Sequence, residues 1–420
     1  MLKKKNITAV AVTAIMIIAA VVIKEKEIIF PEIAAIAIGW LAAPKKSWKV
    51  NEFQMIFMIA VCAFAGIAIV RYLNADIKIQ IILSFIFAQT VYLISNTTFM
   101  PAISAAVLPV LLQTETVIYP LSAIIFTALV CAAGRLTDKT HAANERNTGK
   151  NSGEKENEKE IKTGERSEIS RKAAEVKSDG EAGKAAEVKS DGEARKAAEV
   201  KPDREARKAA EVKLDGEARK ITEVNPEGKG RKNLKNKRSI WLKGIFRILV
   251  VVALVYIFLP AGMRFSIAPP LFVALTELTS GESKAIEKPF RVAALVTICA
   301  IIGMSIKVIC SIIPDMAGIF GIACDAGLGV NIIIGAIITS FATQFVMKKF
   351  QMWMPPAGAL AILPFLIGDS LIESKGVLTA AAAYPAQIFA GISLITIVAY
   401  LVKRADERIS RQKLWSKGQI

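Results

Sequence analysis

The chain holds a single histidine in 420 residues. That residue, His141, lies in a charged stretch, so no His-ligated metal site is expected in the apolar parts of the chain. The five cysteines (Cys62, Cys131, Cys299, Cys310 and Cys324) are odd in number and none stands in CxxC spacing. They read as small buried thiols, not as a disulfide framework or metal knot. No P-loop, dinucleotide fingerprint or nucleophile–base pair is visible. ATP-driven pumping and covalent catalysis would therefore lack their machinery, and the chain is expected to be neither an enzyme nor the holder of a cofactor or metal.

Charge is the third scarcity. Only 22% of residues are charged against 53% hydrophobic, and the mean hydropathy is +0.43. Most charges fall between Arg135 and Lys243, which leaves two apolar blocks at 1–135 and 243–403. Each block repeats apolar runs near or above the roughly 18–20 residues that cross a bilayer. Such runs leave no polar face for water, so they exclude a soluble core and imply an all-α integral membrane protein. The opening Lys3-Lys4-Lys5 and the apolar run at 7–23 resemble a signal peptide. The run is long for one, no small-residue cleavage site follows, and a first transmembrane helix is the better reading.

Six segments are expected per block: 7–23, 28–43, 54–70, 77–94, 101–112 and 117–133, then 244–259, 265–278, 292–313, 328–347, 355–367 and 380–402. The short ones at 101–112 and 355–367 could be re-entrant or spanning. With the N-terminus inside, every cytoplasmic segment is basic: Lys3–Lys5, Lys45-Lys46-Lys49, the linker, 284–291, Lys348-Lys349 and the tail from Lys403. This placement accounts for the net charge of +17 without nucleic acid, for which no motif appears. The expectation is a multi-pass plasma-membrane protein with its N-terminus, linker and C-terminus in the cytoplasm. Its partners would be the bilayer and a small solute, and it could form homo-oligomers.

The two blocks can be laid over each other. Cys62-Ala63, Gly66 and Ile69 match Cys299-Ala300, Gly303 and Ile306 at one constant offset. Gln89, Pro101-Ala102 and Val107-Leu108-Pro109 match Gln344, Pro356-Ala357 and Ile362-Leu363-Pro364 at a second. A single insertion near 312–329 accounts for the change of offset. Both blocks open their last span with Tyr-Pro, at Tyr119-Pro120 and Tyr384-Pro385. An even number of segments makes the repeats parallel, related by an axis along the membrane normal. The chain therefore divides into a first membrane repeat (1–135), a charged linker (136–242), a second membrane repeat (243–403) and a basic tail (404–420). Four units of a 12-residue pattern, x-K-A-A-E-V-K-x-D-x-E-A, fill 171–218 of the linker. With Val as the only regular apolar residue larger than Ala, they cannot build a core, and they read as a tether or as a docking platform.

Prolines mark the candidate site. Pro101 and Pro355-Pro356 each open a short apolar helix after a short polar loop, where proline's missing N–H costs nothing. The remaining first-turn N–H groups at such an N-terminus suit an anion. Gly358 and its alanine neighbours allow a close approach by ligand or backbone, and Ser104 adds a hydroxyl in the first copy. Gln89 and Gln344 each sit 12 residues before the matched proline, in mid-span, where a buried amide needs a partner. Helix packing and substrate lining are both open for these residues. Glu32 and Glu277 are expected near the outer and inner interfaces. Arg71, Arg264 and Lys307 are expected to snorkel towards headgroups.

Met354-Pro355-Pro356-Ala357-Gly358-Ala359 resembles the His-Pro-Pro-Ala-Gly-Ala signature of the HPP family of integral membrane proteins. Ala268-Pro269-Pro270-Leu271, the Glu287-Lys288-Pro289-Phe290-Arg291 loop and the segment from Tyr384-Pro385 are similar to other parts of that family's unit. Met354 stands where the family has histidine, and the first block keeps one proline of the pair. The resemblance implies a tandem HPP-like unit, the first copy degenerate. Some members' association with nitrite implies a small anion as solute. A secondary transporter or channel is the function expected; the alternative is a non-transporting scaffold whose repeat linker docks a cytoplasmic partner. The two part at the linker: removing 171–230 is expected to leave solute flux intact, and loss of all function on that deletion would favour the scaffold.

Overall fold

The computed structural model describes residues 2–138, 226–280, 283–313, 329–367, 372 and 376–415. The 12-residue repeats, His141, Cys324 and most of the inserted segment lie outside them. The chain divides into one unit of Met1–Thr137 with Arg238–Ile420 and another of Asp138–Lys237.

Every element among the described residues is helical. The first block contains α1 (Leu2–Ile23), α2 (Glu32–Ala37, continued by a wider turn over Ile38–Ala42), α3 (Glu52–Tyr72), α4 (Ile77–Ile94), α5 (Pro101–Leu112) and α6 (Ile118–Asp138). The second contains α7 (Pro226–Phe258), α8 (Pro269–Thr279), α9 (Pro289–Ile312), α10 (Val330–Phe350), α11 (Pro355–Ile362) and α12 (Val377–Trp415). Eight of these, α1, α3, α4, α6, α7, α9, α10 and α12, include stretches long and apolar enough to cross a membrane, the pattern of a multi-pass membrane protein. Apolar side chains stand exposed along them, among them Phe57, Phe64, Ile125, Leu249 and Phe345. In lipid these cost nothing, whereas in water they would form a patch too large for a soluble surface.

The remaining four helices are short. The segments expected at 28–43 and 265–278 do not form spans, because proline delays each helix. Pro31 immediately precedes α2 and Pro269-Pro270 open α8, with a 3-10 turn ahead of each. Even the 12 residues of α5 climb only about 18 Å of a hydrocarbon core about 30 Å thick. Broken helices at that depth are tolerated only when buried in protein, and these are. The first short helix of each block packs on the second short helix of the other, α2 on α11 and α5 on α8. All eleven residues of α2 with its wider turn, and all eight of α11, are buried.

Two contacts, each made twice, hold α5 and α11 in place. Pro109 in α5 cannot donate to the carbonyl of Ala105 one turn back, and Pro364 cannot donate to that of Leu360. The missing donor is supplied from the last long helix of each block: Tyr119 Oη donates to Ala105 O at 3.1 Å, and Tyr384 Oη to Leu360 O at 2.6 Å. Each tyrosine ring meets a phenylalanine edge-on, Phe30 and Phe265, with centroids 5.5 Å apart in both cases. The adjoining carbonyls, Ala106 O and Ala361 O, lie where a β-carbon on Gly66 of α3 or Gly303 of α9 would stand, so only glycine fits. The loops into α5 and α11 also turn alike, on Asn96 (φ 52°) and Gln351 (φ 53°).

Loop contacts gather the basic segments at one end. Lys49 N–H donates to Thr98 Oγ1 at 2.7 Å, Arg135 pairs with Glu52, Lys243 lies 3.8 Å from Asp406 and Lys403 lies 3.5 Å from Glu287. At the other end, Gln113 Nε2 donates to Gln80 Oε1 at 2.9 Å and Thr114 reaches Glu27.

Tyr384→Phe orphans a buried carbonyl and is expected to destabilise the purified protein by about 1–3 kcal/mol in thermal unfolding. Pro364→Ala restores the backbone donor and should recover part of that loss in the double variant but not in the wild type. Equal effects of Pro364→Ala in both backgrounds would show that the hydroxyl does not replace the missing N–H.

Candidate functional site

The short helices bring together some of the expected site residues and leave others apart. Glu32, the first residue of α2, is 1% exposed and lies in the protein interior instead of at an interface. Ser104 Oγ of α5 donates to its Oε1, so the hydroxyl singled out in the first block serves a carboxylate that sequence reading placed elsewhere. Glu32 Oε2 has no partner among the described residues.

The other flank of α2 meets α11. A β-carbon on Gly358 would fall on Ile38 Cδ1, and one on Gly39 would approach Trp48 and the ring of Pro355. Gly358 thus serves close packing between the two short helices, the bland alternative left open by the sequence. Pro101, Pro355 and Pro356 are buried at the N-termini of α5 and α11 as expected. Their first turns are less open than expected. Ile103 N–H donates to Met100 O and Ala357 N–H to Met354 O, both at 3.0 Å, which satisfies one donor in each turn.

Gln89 and Gln344 lie on α4 and α10, the long helices that pack on α5 and α11 respectively. Gln89 is fully buried, yet neither its Oε1 nor its Nε2 is hydrogen-bonded among the described residues. Gln344 Oε1 is likewise unpartnered. Thr339 Oγ1 and Ser340 Oγ, one turn earlier on α10, share that condition. With Thr343 they give α10 a buried polar stripe that sequence reading had reduced to Gln344. Its signal was present: Thr339, Ser340, Thr343 and Gln344 recur at helical spacing within an apolar run. Buried polar atoms are nearly always paired in native proteins, which makes these exceptions the residues that call for explanation.

The flanking charges also differ from expectation. Lys307 is 2% exposed and does not snorkel, whereas Arg71 and Arg264 are exposed. Glu277 is half-buried near the C-terminus of α8, with Oε2 unpartnered among the described residues. Cys62, Cys131 and Cys299 are buried free thiols. No family model, curated protein or solved structure matches the chain.

Removing the Ser104 hydroxyl is expected to cost about 1–3 kcal/mol of stability by leaving the buried Glu32 carboxyl without its donor. A double-mutant cycle of Ser104→Ala with Glu32→Gln checks this by thermal unfolding, and additivity would show that the pair is not coupled.

Proposed function

We propose that the protein is a membrane transporter or channel for a small solute, built from two parallel, HPP-like repeats with the solute site beside the interlocked short helices. The observation that carries this reading is the set of unpartnered buried groups on Gln89, Gln344, Thr339 and Ser340, next to helices broken at membrane depth. Transporters place their sites at such discontinuous helices, at the interface of internal repeats. A purely structural membrane core would gain stability by replacing these groups with apolar ones.

The duplication is supported by the interactions made twice: tyrosine on a carbonyl freed by proline, glycine on the next carbonyl, and phenylalanine against the tyrosine. Parallel repeats agree with the loop contacts, since the last long helix of each block, α6 through Arg135 and α12 through Lys403 and Asp406, is anchored at the basic end. The positive-inside rule makes that end cytoplasmic. An anion such as nitrite is the solute favoured by the family resemblance and by the proline-led helix N-termini. Pro101, Pro355, Pro356 and Gly358 frame the site in this reading, while Ser104, Gln89 and Gln344 offer it polar atoms.

Uptake of nitrite, nitrate and formate into proteoliposomes tests the proposal. Wild-type protein is expected to take up at least one of these anions above empty vesicles. Gln89→Leu and Gln344→Leu are expected to lower that uptake about tenfold or more while keeping or raising thermal stability, because the first removes an unpaired buried amide and the second an unpaired amide oxygen. Gly358→Leu would be uninformative, since its side chain collides with Ile38. Undiminished flux in both glutamine variants would remove these residues from the site. Absence of flux for every anion would retire the anion assignment and favour the scaffold role of the linker.

A further inference from the structure

We propose that a cleft between α4 and α7, at the basic end, is a binding site for a phosphate group built on Arg247. This proposal stands on its own geometry and does not depend on the transport reading. The cleft has a volume of about 230 Å³. Its floor is Arg247, Tyr92 and Thr97, which are 3%, 9% and 8% exposed. Its rim carries Lys243, Asn96 and Ser280.

Arg247 is the unusual member. A guanidinium this deeply buried is costly to hold unless a counter-charge accompanies it. Here its contacts are to neutral groups. Nε donates to Thr279 Oγ1 at 2.8 Å, and the guanidinium carbon stands 5.7 Å from the centroid of the Tyr92 ring. No carboxylate pairs with it among the described residues. These contacts fix the plane of the guanidinium without neutralising it. A fixed planar fork with its charge unspent is the arrangement that binds phosphate oxygens in pairs. Lys243 adds a second cation at the rim. The carboxylate near it, Asp406, is 3.8 Å away with its side chain 59% exposed, so that pairing is loose.

The surroundings favour a phosphate carried on a lipid. Ile240 forms part of the cleft wall, and Ile94 and Ile245 stand 66% and 53% exposed on the same two helices. The cleft therefore opens where lipid-facing apolar surface meets basic loops. A phospholipid can place its headgroup on Arg247 and lay its acyl chains along α4 and α7. Basic pockets between transmembrane helices on the cytoplasmic side bind headgroups in this way.

The test is native mass spectrometry of the purified full-length protein, titrated separately with short-chain phosphatidylglycerol, short-chain phosphatidylcholine and inorganic phosphate. Wild type is expected to retain phosphatidylglycerol in preference to phosphatidylcholine. Lys243→Gln should weaken that binding about fivefold, the worth of one basic residue at an anionic headgroup, and Lys243→Glu should weaken it further. Arg247→Gln should abolish it, and Arg264→Gln, at an exposed position, should leave it unchanged. Inorganic phosphate bound with the same dependence on Arg247 and Lys243, without phosphatidylglycerol, would support the site but assign it a soluble ligand. Should Arg247→Gln not fold, the two Lys243 variants decide. Equal binding of both lipids, no binding of either phosphate source, or binding indifferent to Lys243 would overturn the proposal.

Discussion

The structure depends on finding hydrogen-bond donors for carbonyls freed by proline inside a membrane. A backbone carbonyl in hydrocarbon has no water to turn to. Pro109 and Pro364 each release one, and a tyrosine hydroxyl from the last long helix of the same block takes it up. That hydroxyl is itself an expensive group to bury, so the two liabilities cancel only when they meet. The meeting fixes the depth of each short helix against its long neighbour. Gly66 and Gly303 then set the lateral approach, because the next carbonyl fills the space a side chain would need. With α5 and α11 located in this way, α2 and α8 have two buried surfaces to lie on, and the centre closes.

Much of this was legible in the chain itself. The eight long apolar helices, the short helices opening at Pro101 and Pro355, and the six segments of each block follow from apolar runs punctuated by proline and charge, whereas 28–43 and 265–278 read as two further spans that do not form. The start of α2 was not legible from hydropathy, since the run through 28–43 is apolar throughout. What shortens that helix is Pro31 and the extended residues before it, a local rule that hydropathy averages away. The Tyr-Pro pairs were visible as matching positions, but sequence could not say that the hydroxyl serves the proline of another helix. The meeting of Glu32 with Ser104 was equally hidden. It joins residues in two helices whose packing depends on the whole centre. Arg247 left a signal that was easily absorbed into the basic character of its neighbourhood: a charge three residues inside an apolar run.

The proposed copies have diverged in a way that bears on function. Ser104 has Ala359 as its counterpart, so the hydroxyl that meets Glu32 is replaced by a methyl at the matching position of the second block. The second block instead keeps the paired prolines, the tightly packed glycine and the polar stripe of α10. The buried polar groups of the two blocks therefore differ: a carboxyl–hydroxyl pair and an amide in the first, hydroxyls and an amide in the second. Strict symmetry would present a solute with two equivalent sites. In the proposed transport reading, divergence of this kind would give a solute unlike polar groups from the two blocks.

The buried polar groups fall into two sets, those with partners and those without. The tyrosines, the threonines bonded one turn back along their own helices and the caps of α3 and α4 all have partners, and they belong to the framework. Among the described residues, the Gln89 amide, the Gln344 amide oxygen and the Thr339 and Ser340 hydroxyls do not. Were they framework too, apolar replacements would pack as well and cost less. Their retention inside otherwise apolar helices is accounted for by a polar visitor more readily than by stability. Arg247 follows the same logic at the basic end, where the fold supplies orientation through Thr279 and Tyr92 but leaves the charge to be met from outside.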